Sequence, residues 1–171
     1  MKTIIIFDKY AGYMVGGAQR SLTLLVDALK KDYTVKWIGA DVKKSFTSKN
    51  YKIKNVEVTR FSIIELPTFP YLEYVINRRR VKKYIEQLDS DAIFITQGLW
   101  GNMAINFFKG NKKILFIRDE YQLGSIPIIE SGIKQIIKSI YILLNSLFLK
   151  SISNDTKKAI SNKNLIIANS Q

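Results

Sequence analysis

The chain has 171 residues, 47% of them hydrophobic and 24% charged, a balance that excludes an intrinsically disordered chain and suits one globular domain with a sizeable core. It contains no cysteine and no histidine, which excludes disulfides, thiolate chemistry and every Ser-His or Cys-His nucleophile, and leaves Asp, Glu, Lys, Arg, Tyr and backbone amides as the groups able to do chemistry. Lys and Arg number 27 against 14 Asp and Glu, a net charge of +13, so an anionic partner is expected: a phosphorylated ligand, anionic lipid or nucleic acid.

The branched apolar run Thr3–Phe7 predicts a first strand, closed by Asp8. It is too short for the apolar stretch of a signal peptide and no small-residue cleavage site follows, so the cytosol is the expected compartment. The loop Asp8–Gly16 leads into a predicted helix over Gly17–Lys31, with Leu22, Leu25, Val26 and Leu29 on one face and Thr23, Asp27 and Lys31 on the other. Strands are predicted at Thr34–Gly39 and Val56–Phe61, joined by the basic, aromatic-bearing stretch "KKSFTSKNYKIK" (Lys43–Lys54). "LPTFP", with Pro67 and Pro70, breaks the chain and starts a helix predicted over Tyr71–Leu88. Within that helix "RRRVKK" places Arg78, Arg79, Arg80, Lys82 and Lys83 around most of the circumference. They read either as a solvated face or as a patch for anionic lipid headgroups, or another anion.

A fourth strand is predicted at Ala92–Thr96, a short helix at Gly101–Phe108, a fifth strand at Lys113–Ile117, a long helix at Ile129–Lys150 and a sixth strand at Leu165–Ala168. In the long helix Ile129, Ile133, Ile136, Ile137, Ile140 and Leu144 form a stripe opposite Lys134 and Lys138. A spanning helix needs about 20 apolar residues, and Lys134, Lys138 and Asn145 interrupt this one. Packing on a sheet is expected, with an interfacial role for any part left exposed.

Alternating β and α segments, with strands apolar on both sides, predict an α/β fold. It is a Rossmann-like, doubly wound, mostly parallel six-stranded sheet with helices on both faces. Ligands of such sheets gather beyond the carboxyl ends of the strands, which makes the loops Asp8–Gly16, Ala40–Lys44, Ser62–Phe69, Gln97–Gly101 and Arg118–Pro127 the informative ones. The pair Gly16-Gly17 between strand and helix reads two ways. It is either a turn, or a cradle whose amides and helix dipole favour a phosphate. Neither G-x-x-x-x-G-K-[ST] nor G-x-G-x-x-G is present, since Gly12, Gly16 and Gly17 are wrongly spaced, so a triphosphate P-loop and a conventional dinucleotide site are not expected.

The stretch "GGAQRSLTLLVDALKKDYTVKWIG" resembles the opening of family 4 glycosyltransferases, retaining enzymes of the two-domain GT-B fold. Gly16, Gly17, Ala18, Gln19, Arg20, Leu25, Ala28 and Leu29 match that pattern. "DSDAIFITQG", "KKILFIRDEY" and "NLIIANSQ" are similar, in order, to the fourth, fifth and sixth strands of the family's amino-terminal domain. The resemblance implies that residues 1–171 form the amino-terminal, acceptor-binding domain alone. The carboxy-terminal domain that holds the nucleotide-sugar and carries a Glu-x7-Glu motif is absent, and transfer by this chain by itself is not expected.

By that resemblance Gly16 and Gly17 offer amides to the donor β-phosphate, with no cofactor or bound metal and a nucleotide-sugar as co-substrate. Arg20 lies near the phosphates, or else on a solvated helix face or as a strut to a nearby loop. Where many members carry a histidine near the reacting sugar, this chain has Gln97 after the fourth strand and Arg118, Asp119 and Glu120 after the fifth. These are the acceptor-side candidates: Arg118 for an anionic acceptor group, Asp119 or Glu120 for the attacking hydroxyl, unless Arg118 and Asp119 pair with each other or cap a turn. The acceptor implied is a glycan or a lipid-linked glycan, in polysaccharide or glycolipid synthesis at the inner face of a membrane. The rival reading is a non-catalytic basic module that binds anionic lipid or a partner subunit. Nucleic-acid binding ranks low, because no stacking platform or recognition helix is evident.

Overall fold

The computed structural model describes residues 1–13, 17–42, 56–66, 69–117, 133–162 and 165–168, with the backbone alone described at residue 18 and over residues 133–142 and 144–146. Six strands and four helices alternate: β1 (Thr3–Phe7), α1 (Gly17–Leu29), β2 (Thr34–Asp41), β3 (Glu57–Ser62), α2 (Pro70–Ile85), β4 (Ile93–Gln97), α3 (Gly98–Phe107), β5 (Lys113–Ile117), α4 (Ile133–Ser161) and β6 (Leu165–Ala168). The strands form one sheet in the order β3-β2-β1-β4-β5-β6, and every pair is parallel. This is a Rossmann-like doubly wound fold, and the order reverses between β1 and β4, where a ligand crevice is expected.

Each face of the sheet has its own core. On one face Leu22 and Val26 of α1 pack on Ile4, Ile6, Val35, Trp37 and Ile95. Their four-residue spacing sets both on the buried stripe of α1, each contributing about 1.5–3 kcal/mol by leaving water. On the other face α2, α3 and α4 bring Tyr74, Val81, Ile85, Trp100, Met103, Ile105, Ile152 and Ala159 against Ile5, Phe7, Ile38, Phe61, Phe94 and Leu115. A continuous apolar run such as Ile4-Ile5-Ile6-Phe7 supplies both faces at once, which is why β1 lacks polar alternation.

Two boundaries differ from the sequence expectation, with consequences. β4 runs through Gln97 and α3 starts at once with Gly98, whereas a loop was expected over Gln97–Gly101. The connection needs no loop because Gly98 takes φ 68°, a left-handed backbone that L side chains avoid. α4 extends to Ser161 rather than Lys150. Its polar end "SISNDTKKAIS" is held because Asp155, polar in type but 3% exposed, is a packing residue. The guanidinium of Arg78 forks onto both oxygens of Asp155, with Nη2 donating to Oδ1 at 2.7 Å, and the Tyr74 hydroxyl donates to Oδ2 at 2.6 Å. Asn102 and Asn106 extend the seam, donating to Thr156 Oγ1 at 3.0 Å and to the Asp155 carbonyl at 2.8 Å. Arg78 therefore ties α2 to α4 and is set apart from its basic neighbours. Arg79, Arg80, Lys82 and Lys83 are exposed.

Among the described residues no helix is long and apolar enough to cross a membrane. The stripe expected to pack on the sheet, Ile129, Ile133, Ile136, Ile137, Ile140 and Leu144, lies wholly outside the described side chains. Farther along α4, Leu143 and Leu147 are exposed, whereas Ile152 and Ala159 are buried.

Candidate functional site

A crevice of about 200 Å³ opens at the carboxyl ends of β1 and β4, at the point where the strand order reverses. It is lined by Asp8, Lys9 and Tyr10 after β1, Gln19 in the first turn of α1, Pro70 at the start of α2, and Gln97 to Trp100 where β4 becomes α3. A larger space of about 300 Å³, bordered by Met1, Lys2, Asp89, Asp91 and Lys112, lies at the amino ends of the strands. We assign function to the smaller one, because in open parallel sheets the loops and helix amino termini that bind ligands converge at the carboxyl ends.

The loop after β1 is fixed by the strands beside it. The Ala11 amide donates to the Asp8 carbonyl at 3.0 Å, and the Ala40 amide to the Lys9 carbonyl at 2.9 Å. Gly12 takes φ 75°. Gly39 of β2 makes room for the fold of the loop, because a Cβ there would lie 2.6 Å from the Ala11 methyl and 2.7 Å from the Asp8 carbonyl oxygen. Arg60 of β3 clamps the loop from outside, donating from Nη2 to the Ala11 carbonyl at 3.3 Å and stacking its guanidinium 4.5 Å from the centre of the Tyr13 ring.

The electrostatics of the crevice are set by a buried ion pair. Lys9 donates to Glu73 of α2, and their side chains are only 13% and 3% exposed. The Lys9 ammonium also sits 4.9 Å from the Tyr10 ring centre and 5.2 Å from that of Trp100. The other oxygen of Glu73 accepts from the Leu66 amide at 2.7 Å. Asn77, one turn on, accepts from the Ile64 amide and donates to its carbonyl, both at 2.8 Å. Glu73 and Asn77 so pin the β3–α2 connection while Glu73 neutralises Lys9.

Gln97 is the unusual member. It is 4% exposed, and among the described residues neither Oε1 nor Nε2 has a hydrogen-bond partner. A buried amide left unpaired costs about 1–3 kcal/mol for each group, and such a residue lining a crevice calls for a functional explanation.

Of the residues expected to bind donor phosphate, Gly17 opens α1, in the same turn as Gln19 at the crevice wall. Its φ is not positive, and among the described residues a Cβ built on it meets nothing within 4 Å. Among the described residues, then, neither its own φ nor any packing neighbour requires glycine there. Arg20 is exposed and does not line the crevice. Gly16, Arg118, Asp119 and Glu120 lie outside the described residues, as does the basic stretch Lys43–Lys54. Of the acceptor-side candidates, Gln97 is in the crevice.

Sequence reasoning did not single out Lys9, Glu73, Gly98 or Trp100. Lys9, Gly98 and Trp100 stood inside loops flagged by position. Glu73, acidic and fully buried in the first turn of an otherwise basic helix, had no signal that spacing could supply. No group of three or more His, Cys, Asp or Glu able to hold a metal occurs among the described residues. No protein-family model matches the chain, and no curated protein matches it.

Proposed function

We propose that this chain is the acceptor-side, Rossmann-like half of a retaining glycosyltransferase. It would transfer a sugar from a nucleotide-sugar to a glycan or lipid-linked acceptor, with the donor held by a second Rossmann-like unit. The observation that carries this reading is Gly17: a glycine that, among the described residues, neither its own φ nor a packing neighbour demands, opening α1 in the same turn as the crevice residue Gln19. A residue without a side chain at a helix start lets a phosphate approach the unpaired amides there. In a transfer that expels a nucleoside diphosphate, such donors stabilise the charge developing on the leaving phosphate. The sequence pattern from Gly16 to Gly39 supports the same assignment.

The test is nucleotide-sugar turnover by the protein joined with its donor-binding unit. Gly17→Val is expected to remove transfer and hydrolysis by two to three orders of magnitude, about what one lost oxyanion donor costs, while the melting temperature stays within a degree or two. Full activity in that variant would remove Gly17 from the site. A second reading, attachment to an anionic membrane, is favoured by the four exposed cations of α2, of which, among the described residues, only Lys82 has an acidic neighbour, Glu86 at 3.9 Å.

A further inference from the structure

We infer that Arg60, on the edge strand β3, is the centre of a binding site for a soluble phosphate group, distinct from the crevice between β1 and β4, which it does not line. The inference rests on neither the Gly17 assignment nor the glycosyltransferase reading.

Other cations drawn out of solvent have an evident partner or lie elsewhere in the fold. Lys9, Lys30 and Arg78 are half-buried, and each pairs with a carboxylate: Glu73, Asp27 and Asp155 in turn. Lys113 has no such partner among the described residues, but it opens β5 at the amino end of the sheet, away from the end where ligands gather. Arg60 is half-buried towards the carboxyl end of β3, and among the described residues no carboxylate pairs with it. Its Nη2 donates to the Ala11 carbonyl, its plane stacks on the Tyr13 ring, and its Nε is buried without an acceptor. A carbonyl and an aromatic face orient a guanidinium but leave its charge and most of its N–H donors unanswered. An oxyanion answers both, and the planar fork of arginine is the side chain that fits one best. Phosphate, with more charge and more acceptor oxygens than a carboxylate, is the stronger match.

The surroundings hold the guanidinium in place. Gly39 pairs with Arg60 in register, and its missing side chain admits the loop after β1, so that Ala11 and Tyr13 reach Arg60. Strand alternation puts Arg60 on the α1 face with Val58, whereas Phe61 faces the core under α2, α3 and α4. The exposed cations of α2 are therefore on the other side of the sheet, and a bilayer resting on them meets α2 rather than Arg60. A phosphate on Arg60 fastens β3 to the loop that carries the crevice residues Lys9 and Tyr10.

The test titrates the chain with sodium phosphate, and separately with sodium acetate, at an ionic strength held constant with sodium chloride. The readout is the Arg60 Nε–Hε resonance, which burial protects from exchange with water, together with the backbone amides of Ala11 and Tyr13. Phosphate is expected to shift all three saturably, and acetate only at higher concentration. Arg60→Lys keeps the charge but loses the fork, and is expected to weaken the phosphate response at the Tyr13 amide at least about tenfold. Replacing Arg79, Arg80, Lys82 and Lys83 with alanine is expected to leave the response intact. Parent and Arg60→Lys are expected to co-sediment equally with vesicles containing anionic lipid, which marks the phosphate as soluble. Weaker co-sedimentation of Arg60→Lys overturns that assignment in favour of a lipid headgroup. A silent Nε–Hε resonance overturns the site, and the parent alone decides this if Arg60→Lys does not fold. An undiminished response in Arg60→Lys, or acetate acting as strongly as phosphate, overturns it too. Each of these failures leaves the nucleotide-sugar reading standing, because that reading is measured by turnover.

Discussion

Two glycines near the carboxyl end of the sheet do opposite work, and substitution separates them. At Gly39 a Cβ collides with backbone and with the Ala11 methyl, and neither can swing away as a flexible side chain could. Gly39→Ala is expected to cost about 1–3 kcal/mol, lowering the melting temperature by roughly 2–4 °C per kcal/mol in a domain of this size. Thermal unfolding followed by circular dichroism checks it. Gly17→Ala, with nothing near it among the described residues, is expected to leave that curve unchanged or raise it slightly, because alanine favours a helix more than glycine does. The comparison shows which glycine the fold needs. Lys113 gives a residue-scale pH dependence: burial, and the charge of Lys158, hold its pKa below the ordinary 10.5. A lysine lowered in this way destabilises the fold while protonated, so the penalty is present at neutral pH and fades as the pH rises through the folded value towards the unfolded one. Lys113→Gln is expected to melt higher than the parent at neutral pH, with the gain shrinking in alkaline buffer.

Among the elements, α2 does two jobs with different faces. Its inner face carries Glu73, Tyr74, Asn77 and Val81, all buried, and Arg78 reaches from its flank to Asp155 of α4. Breaking a fully buried pair costs about 3–5 kcal/mol; because the Arg78 side chain is 36% exposed, Arg78→Ala is expected to cost less, about 2 kcal/mol. Its outer face presents Arg79, Arg80, Lys82 and Lys83 to solvent. Replacing these four with alanine is expected to weaken co-sedimentation with vesicles containing anionic lipid by at least about tenfold, since each cation near such a surface contributes roughly 1 kcal/mol. The melting temperature should stay put, and equal binding by parent and variant would take the membrane reading off α2. The charge run showed in the sequence that α2 is basic. It could not show that Arg78 faces inward, because that depends on Asp155, 77 residues away in the chain and polar in type. The same distant contact helps to hold the end of α4, which the sequence expectation stopped at Lys150 and which runs on to Ser161.

For the whole molecule, the strands and their parallel order follow from local signals: short branched runs, apolar on both sides, separated by amphipathic segments. Every strand expected from the sequence is present within two residues at its ends. The crevice was half legible. Its position after β1 and β4 follows from the topology, and Gln97 stood where a polar residue ends an apolar run. The pairing of Lys9 with Glu73, which neutralises a cation at the crevice wall, depends on a contact between residues 64 apart. A net charge of +13 therefore says little about the crevice itself. The central claim is that the carboxyl end of this sheet faces the phosphates of a nucleotide-sugar held by a second unit. The most direct measurement is release of nucleoside diphosphate from a panel of nucleotide-sugars by this chain joined with that unit, compared between parent and Gly17→Val at equal melting temperature. We expect turnover of at least one nucleotide-sugar by the parent and its loss in the variant. No turnover of any member by the parent, or undiminished turnover in Gly17→Val, would contradict the account.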